Sequence, residues 1–212
     1  GARNAGAEGI GLARTEYMFA GDRLAVVQQI LLGADPGERA AALAVLEELQ
    51  IGDFERLLET MDGMPVVVRL LDPPLHEFLP HDEEGQQEMA DKMNVTLETV
   101  KNKVASLDEF NPMLGHRGCR LGVTFPSITE MQTRAIIEAA VELDQEGVKV
   151  YPEIMVPLIG TVEEFVNQKA VIQTTAEQVF TEKGHRLEYM VGTMIEIPRA
   201  ALTANEIAKE AD

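Results

Sequence analysis

Basic side chains are scarce in this chain and cysteine is nearly missing. Across 212 residues there are 18 Lys and Arg against 36 Asp and Glu, a formal net charge of -18. Such a surface repels phosphate backbones and anionic headgroups, which argues against nucleic acid or membrane as a partner. The acids are spread along helical segments instead of gathering in blocks, so they read as solvated surface. The one cysteine, Cys119, allows no intrachain disulfide and fits a reducing cytoplasm. No His–Asp arrangement at readable spacing accompanies it, and it reads as a small packed side chain. No apolar run approaches the roughly 18 residues of a membrane helix, and no signal-peptide pattern opens the chain. Low-complexity segments, Gly/Pro/Ser-rich linkers and short repeats are missing too.

What is present is 45% hydrophobic residues, enough for one substantial core and one domain over residues 1–212. Short β-rich runs alternate with longer amphipathic ones, the pattern of βα units around a parallel sheet. The spacing predicts strands at Ile10–Arg14, Pro65–Leu71, Val150–Val156 and Glu188–Ile197, with a weaker one near Arg120–Thr124. Several are apolar at successive positions, as strands buried on both faces are. The fold expected is α/β, a partial (β/α)8 TIM-type barrel with roughly the first five strands and helical insertions. An open sheet completed by another chain is the alternative. The chain begins at Gly1 without Met and stops at Asp212 within a helical pattern, so a piece of a longer protein is expected.

Helix starts are legible in three places. Asp35-Pro36-Gly37-Glu38 offers a capping acid, a first-turn proline and a Glu, leading into Leu43, Leu46 and Leu49. Ser127-Ile128-Thr129-Glu130 and Thr161-Val162-Glu163-Glu164 both read as capping boxes. A break is expected near Gly52-Asp53, and a stop at Gly63. Pro73-Pro74 forbid helix directly after Leu71-Asp72, and Asp82–Phe110 reads as inserted helices.

In parallel α/β folds ligands sit at the carboxyl ends of strands. That rule selects Arg14, Arg69, Glu196 and Arg199. An arginine inside the apolar run Val66–Leu71 is costly to bury unless paired or meeting an anion, so Arg69 is the sharpest candidate. A structural salt bridge from Arg69 to Asp72 is equally compatible with the sequence, as is one from Arg14 to Glu16. The stretch Asn111 through Arg120 joins turn residues to Arg117 and Arg120, which can reach phosphate or carboxylate bidentately. His116, His76 and His81 read as ordinary loop histidines. Glu196 at an apolar strand end suggests a ligand for a hard cation such as Mg²⁺, with Glu153 at a similar strand position as its supporting partner or, in the alternative, as half of a buried pair with an arginine.

At these residues the chain resembles the phosphoenolpyruvate-utilising enzymes, and among them the pyruvate, phosphate dikinases. The resemblance rests on Gly9 through Phe19, Val68 through Pro80, Asn111 through Gly122, and Gly192 through Ala200. Arg-Thr-Glu at 14–16 and Asn-Pro-Met-Leu-Gly-His-Arg at 111–117 are themes shared with phosphoenolpyruvate synthase. Leu71 through Pro80 looks distinctive of the dikinases, and Ala13 stands where the family more often has cysteine. The resemblance implies a barrel domain that binds pyruvate or phosphoenolpyruvate with Mg²⁺ and receives a phosphoryl group from a phosphohistidine on a separate domain, in a homodimeric parent. It assigns Arg14 and Arg69 to the substrate's phosphoryl group, Arg117 to the catalytic centre beside them, and Glu196 to Mg²⁺ and, through it, to substrate. The family's second metal-binding acid and its proton-donating cysteine belong to motifs not found in this sequence. The isolated chain is therefore expected to be inactive, and a non-catalytic phosphoenolpyruvate-binding or interaction module is the competing reading.

Overall fold

The computed structural model describes every residue except 33–35, 109, 110 and 112. Strands β1 (Ile10–Arg14), β2 (Pro65–Arg69), β3 (Tyr151–Val156) and β4 (Met190–Thr193) form one parallel sheet in the order β1-β2-β3-β4. Each strand pairs with the next in sequence. A doubly wound sheet reverses its order at a switch point, whereas a barrel does not, so this sheet is an arc of a β/α barrel.

Between β1 and β2 run helices α1 (Leu24–Leu32) and α2 (Pro36–Thr60). The Asp35 cap expected for α2 lies outside the described residues, and Pro36 opens the helix as its fixed φ favours. The break expected at Gly52-Asp53 does not occur. Ala42, Leu46, Gln50, Phe54 and Leu58 recur every fourth residue and are all buried, which carries the helix through a glycine costing about 1 kcal/mol. Leu49, expected on the apolar face, is instead exposed. Asp53 does not cap a new start; its carboxylate takes the guanidinium groups of Arg23 and Arg56.

Between β2 and β3 lie a single 3-10 turn at Leu75–Phe78, then α3 (Glu83–Met93), α4 (Leu97–Leu107), α5 (Gly118–Thr124) and α6 (Pro126–Gln145). The α3–α4 pair is the expected insertion, capped by Asp82 and Thr96. The weak strand near Arg120–Thr124 is a correction, since that segment is α5. Its first amides are taken by loop carbonyls, Gly118 N to Asp72 O at 3.1 Å and Cys119 N to Pro157 O at 3.1 Å. The segment is thereby laid across the tops of β2 and β3, where it has no strand to pair with. Ser127 does not cap α6, because Pro126 already occupies the first turn.

Helix α7 (Val162–Lys183) joins β3 to β4 and begins with the expected capping box. Glu164 N donates to Thr161 Oγ1 at 3.3 Å while Thr161 N donates to Glu164 Oε2 at 3.0 Å. Short helices α8 (Pro198–Leu202) and α9 (Ala204–Ile207) follow β4. No helix among the described residues is long and apolar enough to cross a membrane.

Strand periodicity sorts the side chains. Val66, Val68, Ile154, Val156 and Val191 point to the helices and pack with Ile136 and Ala140 of α6 and Ile172 and Ala176 of α7. The alternate set, including Val67, Glu153 and Met155, turns to the opposite face, where Tyr151 and Met190 are about half exposed. A second cluster joins α1, the first half of α2, α3 and α4 around Leu46, Phe78, Met89 and Val100, with the rings of Phe19 and Phe78 5.9 Å apart.

Replacing Thr161 by Ala removes the α7 cap and should lower unfolding stability by about 1 kcal/mol, read from the urea midpoint.

Candidate functional site

Both β1 and β2 end on an arginine, and the ladder pairs Arg14 with Arg69. Neighbouring strands stand roughly 4.8 Å apart, so two guanidinium side chains rise together from one edge of the sheet. Like charges side by side are unfavourable unless something neutralises them. For Arg69 the protein supplies that something. Its Nη2 donates to Glu16 Oε1 at 2.7 Å and its Nη1 lies 3.3 Å from Asp72 Oδ2. Arg14 is exposed and makes no ion pair among the described residues.

Asp72 joins two arginines. Its Oδ2 accepts from Arg117 Nη2 at 2.7 Å, and its backbone carbonyl accepts from Arg117 Nε at 3.1 Å and from Gly118 N at 3.1 Å. The Arg69–Asp72 bridge that the sequence allowed is therefore real, and it is also what ties Arg117 to the strand ends. The Arg14–Glu16 bridge does not form, because Thr15 begins a 3-10 turn that sends Glu16 over to Arg69. Thr15 fixes that turn by donating from Oγ1 to Arg69 O at 3.0 Å.

Arg69 and Asp72 are 9% and 6% exposed, and each keeps a buried polar atom without a partner, Arg69 Nε and Asp72 Oδ1; Glu16 Oε2 is in the same state. Polar atoms taken from water without a bond are costly, and Arg69 Nε is a donor that a bound anion can satisfy. Three guanidinium groups face two carboxylates, an excess of positive charge inside a protein whose surface is strongly acidic. Such an arrangement can hold a phosphate or carboxylate by charge-assisted bonds.

Glu196 lies three residues beyond β4, exposed, with Oε1 accepting from Leu158 N at 2.9 Å. Leu158 has φ +63°, a left-handed conformation rare for a leucine, on the loop that follows β3. Among the described residues no three His, Cys, Asp or Glu side chains gather closely enough to cage a metal. Glu196 nonetheless fits a magnesium ion as one carboxylate, since Mg²⁺ commonly takes one or two protein carboxylates and fills its shell with water and substrate oxygens. Glu153 is a correction. It pairs with Val67 and with Met190, the first residue of β4, so it sits toward the opposite end of the strands from Glu196 and is not its partner. Arg199 is exposed on α8. His116 bonds Thr124 Oγ1 at 2.5 Å within the loop and α5, and Arg120 holds the same loop through Gly115 O at 2.8 Å.

Cys119 is buried, and its Sγ donates to Leu158 O at 3.2 Å. Burial first, then the negative charge of Glu164, pushes its thiol up to about 12 from an ordinary 9.0. It stays protonated and inert at neutral pH.

Two outcomes follow. Asp72→Asn leaves Arg69 and Arg117 short of charge in a buried setting and should cost about 3 kcal/mol of unfolding free energy, measured with denaturant. Iodoacetamide at pH 8 should leave Cys119 unlabelled in the folded protein and label it on unfolding. The unfolded thiol loses its proton near pH 9 while the folded one keeps it to about 12, so stability should also fall as pH rises through that window.

Comparisons with known proteins identify the family. A family model described as PEP-utilising enzyme, PEP-binding domain, matches residues 1–212. Pyruvate, phosphate dikinase of Clostridium symbiosum is 54% identical over 209 residues, covering 98% of this chain and 24% of the relative. The chloroplastic pyruvate, phosphate dikinase 1 of Arabidopsis thaliana is 53% identical over 214 residues, covering all of this chain and 22% of the relative. Pyruvate, phosphate dikinase 2 of Zea mays is 50% identical over 215 residues, again with 24% of the relative covered. The chain thus spans about a quarter of the length of these relatives. Arginines aligned at the strand ends, on a parallel sheet whose sequence matches this family from end to end, place the chain among the PEP-utilising enzymes, in their PEP-binding domain.

Proposed function

We propose that this chain is a portion of the phosphoenolpyruvate- and pyruvate-binding barrel of a pyruvate, phosphate dikinase, its four strands belonging to a (β/α)8 domain. The parent reaction converts ATP, phosphate and pyruvate to AMP, diphosphate and phosphoenolpyruvate, with the phosphoryl group arriving from a phosphohistidine on another domain of the same polypeptide. The single observation that carries the proposal is the in-register pair Arg14 and Arg69 at the carboxyl ends of β1 and β2, with Arg69 Nε left open.

Phosphoryl transfer asks the protein mainly for positioning and for positive charge on the moving oxygens. Arg14 has its guanidinium free for an incoming phosphoryl group. Arg69 is held by Glu16 and Asp72 in one orientation with a further N–H to give. Arg117 is locked to Asp72 through two donors and completes the cationic wall as the catalytic arginine. Preorganised charge of this kind costs no rearrangement when the reaction occurs. Mg²⁺ at Glu196 would stabilise the negative charge that builds on the pyruvate oxygen. Leu158 N–H orients the carboxylate for that task.

For the isolated chain, binding without turnover is favoured because the one cysteine of the sequence, Cys119, is buried with its Sγ on Leu158 O and so presents no thiol to the arginines as a proton donor. The compartment is one that keeps thiols reduced, and the names of the relatives extend that from cytoplasm to chloroplast.

Calorimetry with phosphoenolpyruvate and Mg²⁺ tests the reading. A millimolar or tighter signal that Arg69→Ala abolishes is expected, and a wild-type titration without heat would overturn it. The purified 212-residue chain should form no phosphoenolpyruvate from pyruvate and phosphorylated donor domain.

A further inference from the structure

We infer that Gln132 is a positioning residue for the arginine cluster, fixing the backbone from which Asp72 reaches Arg69 and Arg117. The inference rests on the phosphoenolpyruvate-binding reading above. Gln132 lies on α6, on the helix side of the sheet, and is 0% exposed. Its Oε1 accepts a hydrogen bond from Leu71 N at 2.7 Å.

That amide is the first one past the sheet. Leu70 N still donates to Met155 O at 3.0 Å in continuation of the β2–β3 ladder, and the chain then turns away toward Pro73. Leu71 N therefore has no strand carbonyl to meet, and a buried amide without a partner is expensive. Gln132 supplies the acceptor from behind. On the other side of the same two residues, Gly118 N and Arg117 Nε both donate to Asp72 O. Residues 71 and 72 are pinned from two directions, and the Asp72 carboxylate is left no freedom to swing from its place between two guanidinium groups.

The energetics of Gln132 point the same way. Its Nε2 is buried without a partner, so the residue makes one of the bonds an amide is capable of and carries the desolvation cost of the rest. A methionine or leucine there would fill the same space with no orphaned side-chain donor, at the expense of the Leu71 amide. As a core residue glutamine is a poor choice, and the bond to Leu71 is the one thing it does that an apolar side chain does not. Its surroundings hold it in one rotamer. Thr129, one turn earlier on α6, donates to Gln168 Oε1 at 2.8 Å, and a cavity of only about 10 Å³ remains among Gln132, Gln168, Cys119 and Leu71. Gly122 closes that wall so tightly that a Cβ there would stand 2.2 Å from Gln168 Oε1. The amide is thus confined where it meets Leu71.

The test uses the full-length protein that carries this domain, with Gln132→Met, which keeps volume and loses the acceptor, and Gln132→Glu, which keeps the acceptor oxygen. One lost bond of this kind corresponds to roughly a tenfold effect. Gln132→Met should raise KM for phosphoenolpyruvate about tenfold, weaken its binding by calorimetry in parallel, and change kcat less than KM. Its thermal midpoint should fall by a few degrees, because the buried Leu71 amide loses its acceptor, while the protein stays folded, and Gln132→Glu should recover most of the affinity. Unchanged phosphoenolpyruvate affinity in Gln132→Met, equal losses in both variants, or failure of both to fold would each overturn the inference. Arg69→Ala in the same assays separates the two proposals. If it leaves binding intact the phosphoenolpyruvate reading itself fails, and if it alone abolishes binding only the role of Gln132 does.

Discussion

The Asp72 carboxylate, shared between Arg69 and Arg117, is the contact on which the rest of the site depends. Arg69 belongs to a strand and Arg117 to a loop 48 positions later in the numbering, brought beside it by the α3–α4 insertion and the return of the chain into α5. A buried and a half-buried cation repel; one carboxylate placed between them turns repulsion into a cross-link. The same residue's backbone carbonyl accepts from Gly118 and Arg117, so the start of α5 is set by the same point that sets the charges. Fold and site share one anchor there.

Around that anchor the molecule separates two tasks by strand periodicity. Side chains of one parity pack against α6 and α7 and hold the arc together. Those of the other parity include Arg69 and Met155 and turn to the face that a barrel encloses. Chemistry is thereby confined to the carboxyl edge, where strands end and loops begin, and packing to the face behind it. Gln132 is the place where the packing side reaches through to the chemical side by one hydrogen bond.

The polar atoms left open fall on both sides of this division. Arg69 Nε, Asp72 Oδ1 and Glu16 Oε2 lie at the strand ends, while others, such as both amide atoms of Gln50 and Thr133 Oγ1, lie on the packing helices. Against a net charge of -18, a cluster with more guanidinium groups than carboxylates is a local exception maintained at some cost to stability.

Much of this was legible in the linear chain. The four strands, the capping box at Thr161, the inserted helices and the position of Arg14 and Arg69 at strand ends depend on local chemistry: apolar runs, N-cap spacing, proline stops, and a charged residue closing each run. Residues 120–124 form a helix that the sequence does not announce, because a short apolar run carries no period that separates strand from helix and the amides captured by Asp72 and Pro157 are what set its start. The helix through Gly52 likewise needed α6 to bury its face. Glu153 was placed wrongly because register is a relation between strands and is written in none of them. Pairings such as Glu16 with Arg69, Arg117 with Asp72 and Gln132 with Leu71 join residues tens of positions apart. Sequence by itself determined which groups stand at the strand ends; tertiary structure alone decided which of them meet, since hydrogen bonds and ion pairs act over a few ångströms in space and are indifferent to distance along the chain.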